Sequence, residues 1–139
     1  MPLVTRYFIK SALFFFVAAL FCGLLLALRP FIEQPSFLIG LTPIYFHLFM
    51  VGWVTQIIIG VAYWMFPKFT KETPRGSEAL AWITYALMNS GLLLRTVAEP
   101  ANAVQTWVGW GWLVALSALL QWLGGCAFVV NTWPRVKER

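Results

Sequence analysis

Four uninterrupted apolar runs divide this chain: Tyr7 to Leu28, Ile44 to Phe66, Leu80 to Ala98, and Trp107 to Trp133. Each is near or above the ~20 residues a helix needs to cross the hydrocarbon of a bilayer. A membrane β-barrel would need many shorter runs of alternating residues, whereas LFFFVAALFCGLLLAL and QIIIGVAYWMF are continuous. With 60% hydrophobic and 11% charged residues in 139 positions, the composition also lies outside that of ordinary soluble domains. The expectation is one all-α domain over residues 1–139: a polytopic membrane four-helix up-down bundle with helices at about 7–28, 44–66, 78–98 and 107–133. The first run is too long for a signal peptide and lacks a small-residue cleavage site before Arg29-Pro30, so it is read as a retained span.

The formal charge of +5 does not form a nucleic-acid stripe, because its cations mark the ends of the apolar runs. No nucleic-acid partner is expected. Eight basic residues (Arg6, Lys10, Lys68, Lys71, Arg75, Arg135, Lys137, Arg139) fall at one end of the bundle and only Arg29 and Arg95 at the other. The positive-inside rule then places both termini and the loop between helices 2 and 3 in the cytoplasm, in a bacterial cytoplasmic membrane. Trp107, Trp110 and Trp112 on one side, and Trp64 and Trp133 on the other, read as interfacial belts. Cys22 and Cys126 differ in depth by ~12 Å at helical rise, beyond disulfide reach; they read as structural thiols.

Local breakers fix the boundaries. Pro30, Pro35 and Pro43 interrupt the chain after helix 1, where FIEQPSFLIGLTP reads as a lipophilic loop on the bundle's rim. Pro67 is expected to stop helix 2 and Pro100 to end helix 3, while Thr73-Pro74-Arg75-Gly76 reads as a turn and Ser77 with Glu78 as a helix cap.

Polar groups within an apolar span are costly and therefore candidates for function. They are His47, Gln56, Asn89, Arg95, Glu99 and Gln121, with Thr55, Thr84 and Ser117 as minor members. His47 is the only histidine, about one turn inside the outer end of helix 2. Triads, zinc sites and paired carboxylates need partners that this chain lacks at that depth. A lone imidazole in apolar surroundings does suit a heme, whose iron needs a neutral nitrogen and whose macrocycle binds through an apolar face. The competing reading is a histidine that merely hydrogen-bonds a neighbour.

On an α-helical wheel, Met50, Val51, Val54, Ile58, Val61 and Met65 share the His47 side of helix 2, with Gly52, Gln56 and Gly60 opposite. Arg95 comes to about the depth of His47, and Arg29 lies just above. A guanidinium suits heme propionates, and an Arg95–Glu99 pair at i, i+4 is the simpler alternative. Met88, two turns deeper on helix 3, reads as packing against a ring.

The string His47, Gly52-Trp53, Gly60-Val61-Ala62-Tyr63 and Pro67 resembles the second helix of subunit I in the heme-copper oxidase superfamily, nearest to the nitric oxide reductase and C-family oxidase branch, with NnrS-type heme proteins behind it. The resemblance implies a heme b ligated by His47 with arginines on its propionates. It covers about thirty residues. The family's later helices, which carry the second ligand and the active-site metal histidines, have no counterpart here, so gas reduction by the family mechanism is not expected. The chain is read as an electron-transfer or gas-binding protein rather than an enzyme.

A second axial ligand could come from His47 of the other protomer in a homodimer, from a redox partner or larger respiratory complex, or be replaced by an open site for a gas such as nitric oxide. The heme is accordingly one per protomer or one shared per dimer. Two rival readings are a heme-free accessory subunit of a respiratory complex, and a transporter or quinone-binding protein using Gln56, Asn89 and Gln121.

Overall fold

A computed structural model describes residues 1–31, 36–71, 74–105 and 107–136. These form four long helices with no strand among the described residues: α1 (Leu3–Ala27), α2 (residues 41–65), α3 (Glu78–Val104) and α4 (Val108–Thr132). The fold class expected from the apolar runs is the one found, an all-α up-down bundle.

The breakers act in part as their chemistry requires; Pro43, expected to interrupt the chain, instead lies in the first turn of α2, where a proline's missing N–H costs nothing. A short 3-10 turn at Arg29–Phe31 follows α1, and a second, Ser36–Gly40, leads into α2. The second packs inward: Leu38 and Leu41 are buried in a core with Phe15, Ile44 and Leu92. Leu38 and Leu41 of the expected rim loop thus belong to the core, while Phe31 and Ile39 stay exposed on the rim, and residues 32–35 lie outside the described residues. Phe66 is extended ahead of Pro67, the conformation a proline imposes on its predecessor, and α2 stops at Met65. Ser77 accepts from the Leu80 amide at 3.3 Å and caps α3 as expected. The expected turn closes with Phe69 N donating to Pro74 O at 3.0 Å and with Gly76 at φ 75°, Thr73 lying outside the described residues.

Pro100 does not end α3; the helix runs through it to Val104. A proline inside a helix forfeits one backbone bond, but here its ring region is packed against α2's entry. A Cβ at Gly40 would lie 2.8 Å from Pro100 Cα, so only glycine permits that approach.

Neighbouring helices run antiparallel, and small residues set their separation. Gly23 meets Tyr45, Gly52 meets Phe15 and Gly60 meets Phe8 along α1 and α2. Gly91 meets Ser117 and Gln121, and Gly124 meets Met88, along α3 and α4. Polar side chains pair across the other contacts: Ser11 with the Tyr85 hydroxyl at 2.7 Å (α1 to α3), and Tyr63 with Thr84 at 3.3 Å (α2 to α3). Two apolar cores result. One, at the His47 end, centres on Phe15, Ala19, Ile44 and Leu48; the other, toward Arg135, centres on Phe8, Ile59, Tyr63 and Met88.

Three helical stretches are long and apolar enough to cross a membrane: Leu3–Ala27, Leu38–Met65 and Val108–Arg135. Exposed Phe14, Phe21, Trp112 and Trp122 give them lipid-compatible outer faces. The fourth expected span lies within α3, which is as long but carries Asn89, Ser90, Arg95, Thr96 and Glu99. Helix α3 makes contacts with each of the other three helices, and this covering offsets its polarity.

Candidate functional site

His47 closes the α-helical first part of α2, Leu41–His47, and is half-buried. Its Nδ1 lies 2.9 Å from the carbonyl oxygen of Pro43, one turn back. A carbonyl can only accept, so Nδ1 carries a proton, and in the neutral imidazole Nε2 then holds the lone pair. Pro43 has no N–H to offer, yet its carbonyl fixes the tautomer and the ring orientation. Nε2 has no hydrogen bond among the described residues. An imidazole with Nδ1–H on a backbone carbonyl and Nε2 unengaged is the arrangement in which histidine ligates a metal.

Immediately after His47, α2 changes its winding. Leu48–Thr55 is π-helix, eight residues long, before α-helix resumes at Gln56–Met65. The Thr55 hydroxyl donates to Met50 O, five residues back, at 2.8 Å and so reinforces the wider turn. At roughly 4.4 residues per turn, each π residue advances about 80° instead of 100°. The azimuths of the sequence-derived wheel therefore shift below His47. Val51 stays within about 40° of the His47 direction, while Met50 lies about a third of a turn and Val54 nearly half a turn away. Burial agrees: Val51 packs against both cores, whereas Met50 is 52% exposed. Gly52, Gln56 and Gly60 are buried, at the α1 and α3 contacts.

The arginines at this end are already engaged. Arg95 Nε donates to Glu99 Oε2 at 3.0 Å and Nη2 to Oε1 at 3.3 Å, the bidentate i, i+4 pair that the sequence offered as the simpler alternative. Arg29 Nη2 donates to Leu38 O, tying the end of α1 to the turn that enters α2. Met88 belongs to the other core. It is buried against Gly124 and lines an apolar cavity of 540 Å³ with Thr55, Ile59 and Trp122. His47, Met50 and Val51 thus share one stretch of α2, Arg29 and Arg95 serve packing contacts, and Met88 is placed apart.

Among the described residues there is no group of three or more His, Cys, Asp or Glu that could hold a bare metal ion. Macrocyclic iron asks for less, one or two axial side chains, and the state of His47 fits that demand. Both cysteines are free, as expected.

Two polar features were not legible as units in the sequence. Gln56 and Asn89 stand in the sequence as separate polar residues 33 positions apart, and they form a reciprocal amide pair. Arg135 reads in the sequence only as one of the cations marking the end of a span, yet it is 1% exposed and donates to the carbonyls of Pro67, Phe66 and Tyr63 at the end of α2. The signal is present: an arginine two residues beyond the last apolar run, opposite a helix whose final carbonyls need donors.

No protein-family model, no curated protein and no solved structure matches this chain.

Proposed function

We propose that this chain is a small integral-membrane cytochrome b that holds heme through His47 and serves electron transfer or the binding of a diatomic gas such as nitric oxide. One observation carries the reading. His47, the sole imidazole, is half-buried in an apolar helix with Nδ1–H fixed on Pro43 O and Nε2 without a hydrogen bond among the described residues. The resemblance of the His47-to-Pro67 string to subunit I of the heme-copper oxidases supports it.

When bound, the heme b would supply a one-electron couple or an open axial position. The rest falls to the chain. His47 holds the iron, Pro43 O keeps the imidazole in the ligating tautomer, and Val51 and Met50 lie along the same stretch of α2. Val54, farther round the helix, and Met88, in the second core, act through packing. Arg29 and Arg95 are the cations at the His47 end for propionates, with the Arg95 fork shared with Glu99. All four helices cross a bacterial cytoplasmic membrane, both termini on the cytoplasmic side, as the basic residues indicate. A homodimer brings a second His47 to one iron; a redox partner or respiratory complex is the alternative source of the second ligand.

A second reading, a heme-free accessory subunit, is favoured by the exposed aromatic side of α4, where Trp112 and Trp122 are 74% and 65% exposed, and by the engaged Arg95. Visible spectra of the detergent-purified protein, ferric and ferrous, with and without carbon monoxide, separate the two. Sharp reduced alpha bands that resist the gas mean six-coordinate iron with two axial side chains, as the shared-His47 dimer would give, and a gas-shifted Soret band means an open site. Colourless protein that co-purifies with a partner despite ample heme supports the accessory subunit.

A further inference from the structure

The net charge of this chain is carried wholly at one end of the bundle. By sequence position eight cations and three acids (Glu72, Glu78, Glu138) fall at the Arg135 end, against two of each at the His47 end (Arg29, Arg95, Glu33, Glu99), so the whole +5 is concentrated there. The structure adds two adjoining cavities at that end, with Phe69 and Pro74 as common walls. The smaller, 420 Å³, is lined by Lys68, Thr70 and Lys71. The larger, 720 Å³, has Leu3, Val4 and Ala81 as apolar walls and Arg75 and Glu78 at its polar side.

Lys68, Lys71 and Arg75 are exposed, and the ion pair found among the described residues is Arg95–Glu99, at the opposite end. The larger cavity lies at the N-terminus of α1, beside Leu3 and Val4, and no side chain caps that 25-residue helix. Its first amides add partial positive charge. Glu78, the acid on the cavity wall, is in the first turn of α3, where that helix's N-terminus partly compensates it. The combination is a cationic recess beside an apolar recess at the end of three apolar helices.

From this we infer that Lys68, Lys71 and Arg75, with the first turn of α1, bind the headgroup of an anionic phospholipid. The phosphate sits among Lys68, Lys71 and Arg75, and the glycerol with the start of the acyl chains lies along Leu3, Val4 and Phe69. Basic pockets between membrane helices recognise anionic headgroups in this way. The inference rests on the membrane reading and is independent of heme.

The test uses the full chain in micelles carrying equal amounts of phosphatidylglycerol and phosphatidylcholine, with retained lipid counted by native mass spectrometry. Wild type retains phosphatidylglycerol over phosphatidylcholine by at least about fivefold, as one or more surface cations acting on an anionic lipid would give. Lys68→Gln/Lys71→Gln abolishes that preference, while the charge-matched Arg6→Gln/Lys10→Gln keeps most of it, all with unchanged helicity. Equal retention of both lipids by wild type, or equal loss in the two variants, overturns the site. So does displacement of the lipid by inorganic phosphate alone, which would make the ligand a free anion.

Discussion

Gln56 of α2 and Asn89 of α3 exchange both of their side-chain amide hydrogen bonds, each Nδ2 or Nε2 donating to the other's carbonyl oxygen at 3.3 Å. Gln56 is fully buried, and Asn89 donates again to Tyr85 O at 2.8 Å. Replacing one partner by leucine strands the other in apolar surroundings, a loss of about 1–2 kcal/mol. The double replacement Gln56→Leu/Asn89→Leu should cost less than the two singles combined, with a coupling of about 1 kcal/mol, measured by reversible unfolding in micelles.

Arg135 should be the costliest single truncation at the opposite end. Its Nε and Nη2 reach Pro67 O at 3.0 Å, Phe66 O at 2.8 Å and Tyr63 O at 3.3 Å, and its guanidinium stands 5.9 Å from the Phe66 ring centroid. Arg135→Met leaves the last carbonyls of α2 without these donors and is expected to destabilise the fold by about 3 kcal/mol. Arg135→Lys should recover only part of this, because an ammonium cannot span three acceptors as a planar fork does. Denaturant midpoints of the two variants measure the difference.

Two glycines make opposite predictions. A methyl at Gly40 meets backbone atoms, Pro100 Cα at 2.8 Å and Glu99 O at 3.2 Å, which cannot swing aside. Gly40→Ala is therefore expected to cost about 2 kcal/mol. A methyl at Gly125 meets nothing within 4 Å, so Gly125→Ala should change thermal stability by less than about 0.5 kcal/mol.

What the sequence shows plainly is what hydropathy and breakers control. Long apolar runs must be helices in lipid, Phe66 leaves the helix ahead of Pro67, and Ser77 caps because its hydroxyl reaches an orphan amide. Pro100 misleads because a local rule is overridden by packing that only the folded chain contains, the approach of Gly40. The candidate site is legible in His47 and in the Arg95–Glu99 spacing, but not in its azimuths. A wheel drawn at 100° per residue assumes the winding it is meant to reveal, and nothing in LFMVGWVT announces a π segment. The Gln56–Asn89 and Arg135 contacts join residues 33 and more positions apart, beyond any local pattern.

That π segment gives a further expectation. Deleting Val54 removes one residue from the run and allows α-helix throughout, and exchanging eight π steps for seven α steps rotates Leu41–His47 by roughly 60° relative to Gln56–Met65. Ile44 and Leu48 then cannot face their core while Ile59 and Tyr63 face theirs. Circular dichroism should show unchanged helix content, with unfolding stability reduced by at least about 2 kcal/mol.

The account stands or falls on the single imidazole. Heme titration of wild type and His47→Ala, matched for helicity in the same detergent, reads it directly. The wild type should take up one heme per protomer or one per dimer with a sharp Soret band, and His47→Ala should lose that uptake and recover it in part with added imidazole. A His47→Ala protein with the same heme content and the same spectrum would contradict the assignment.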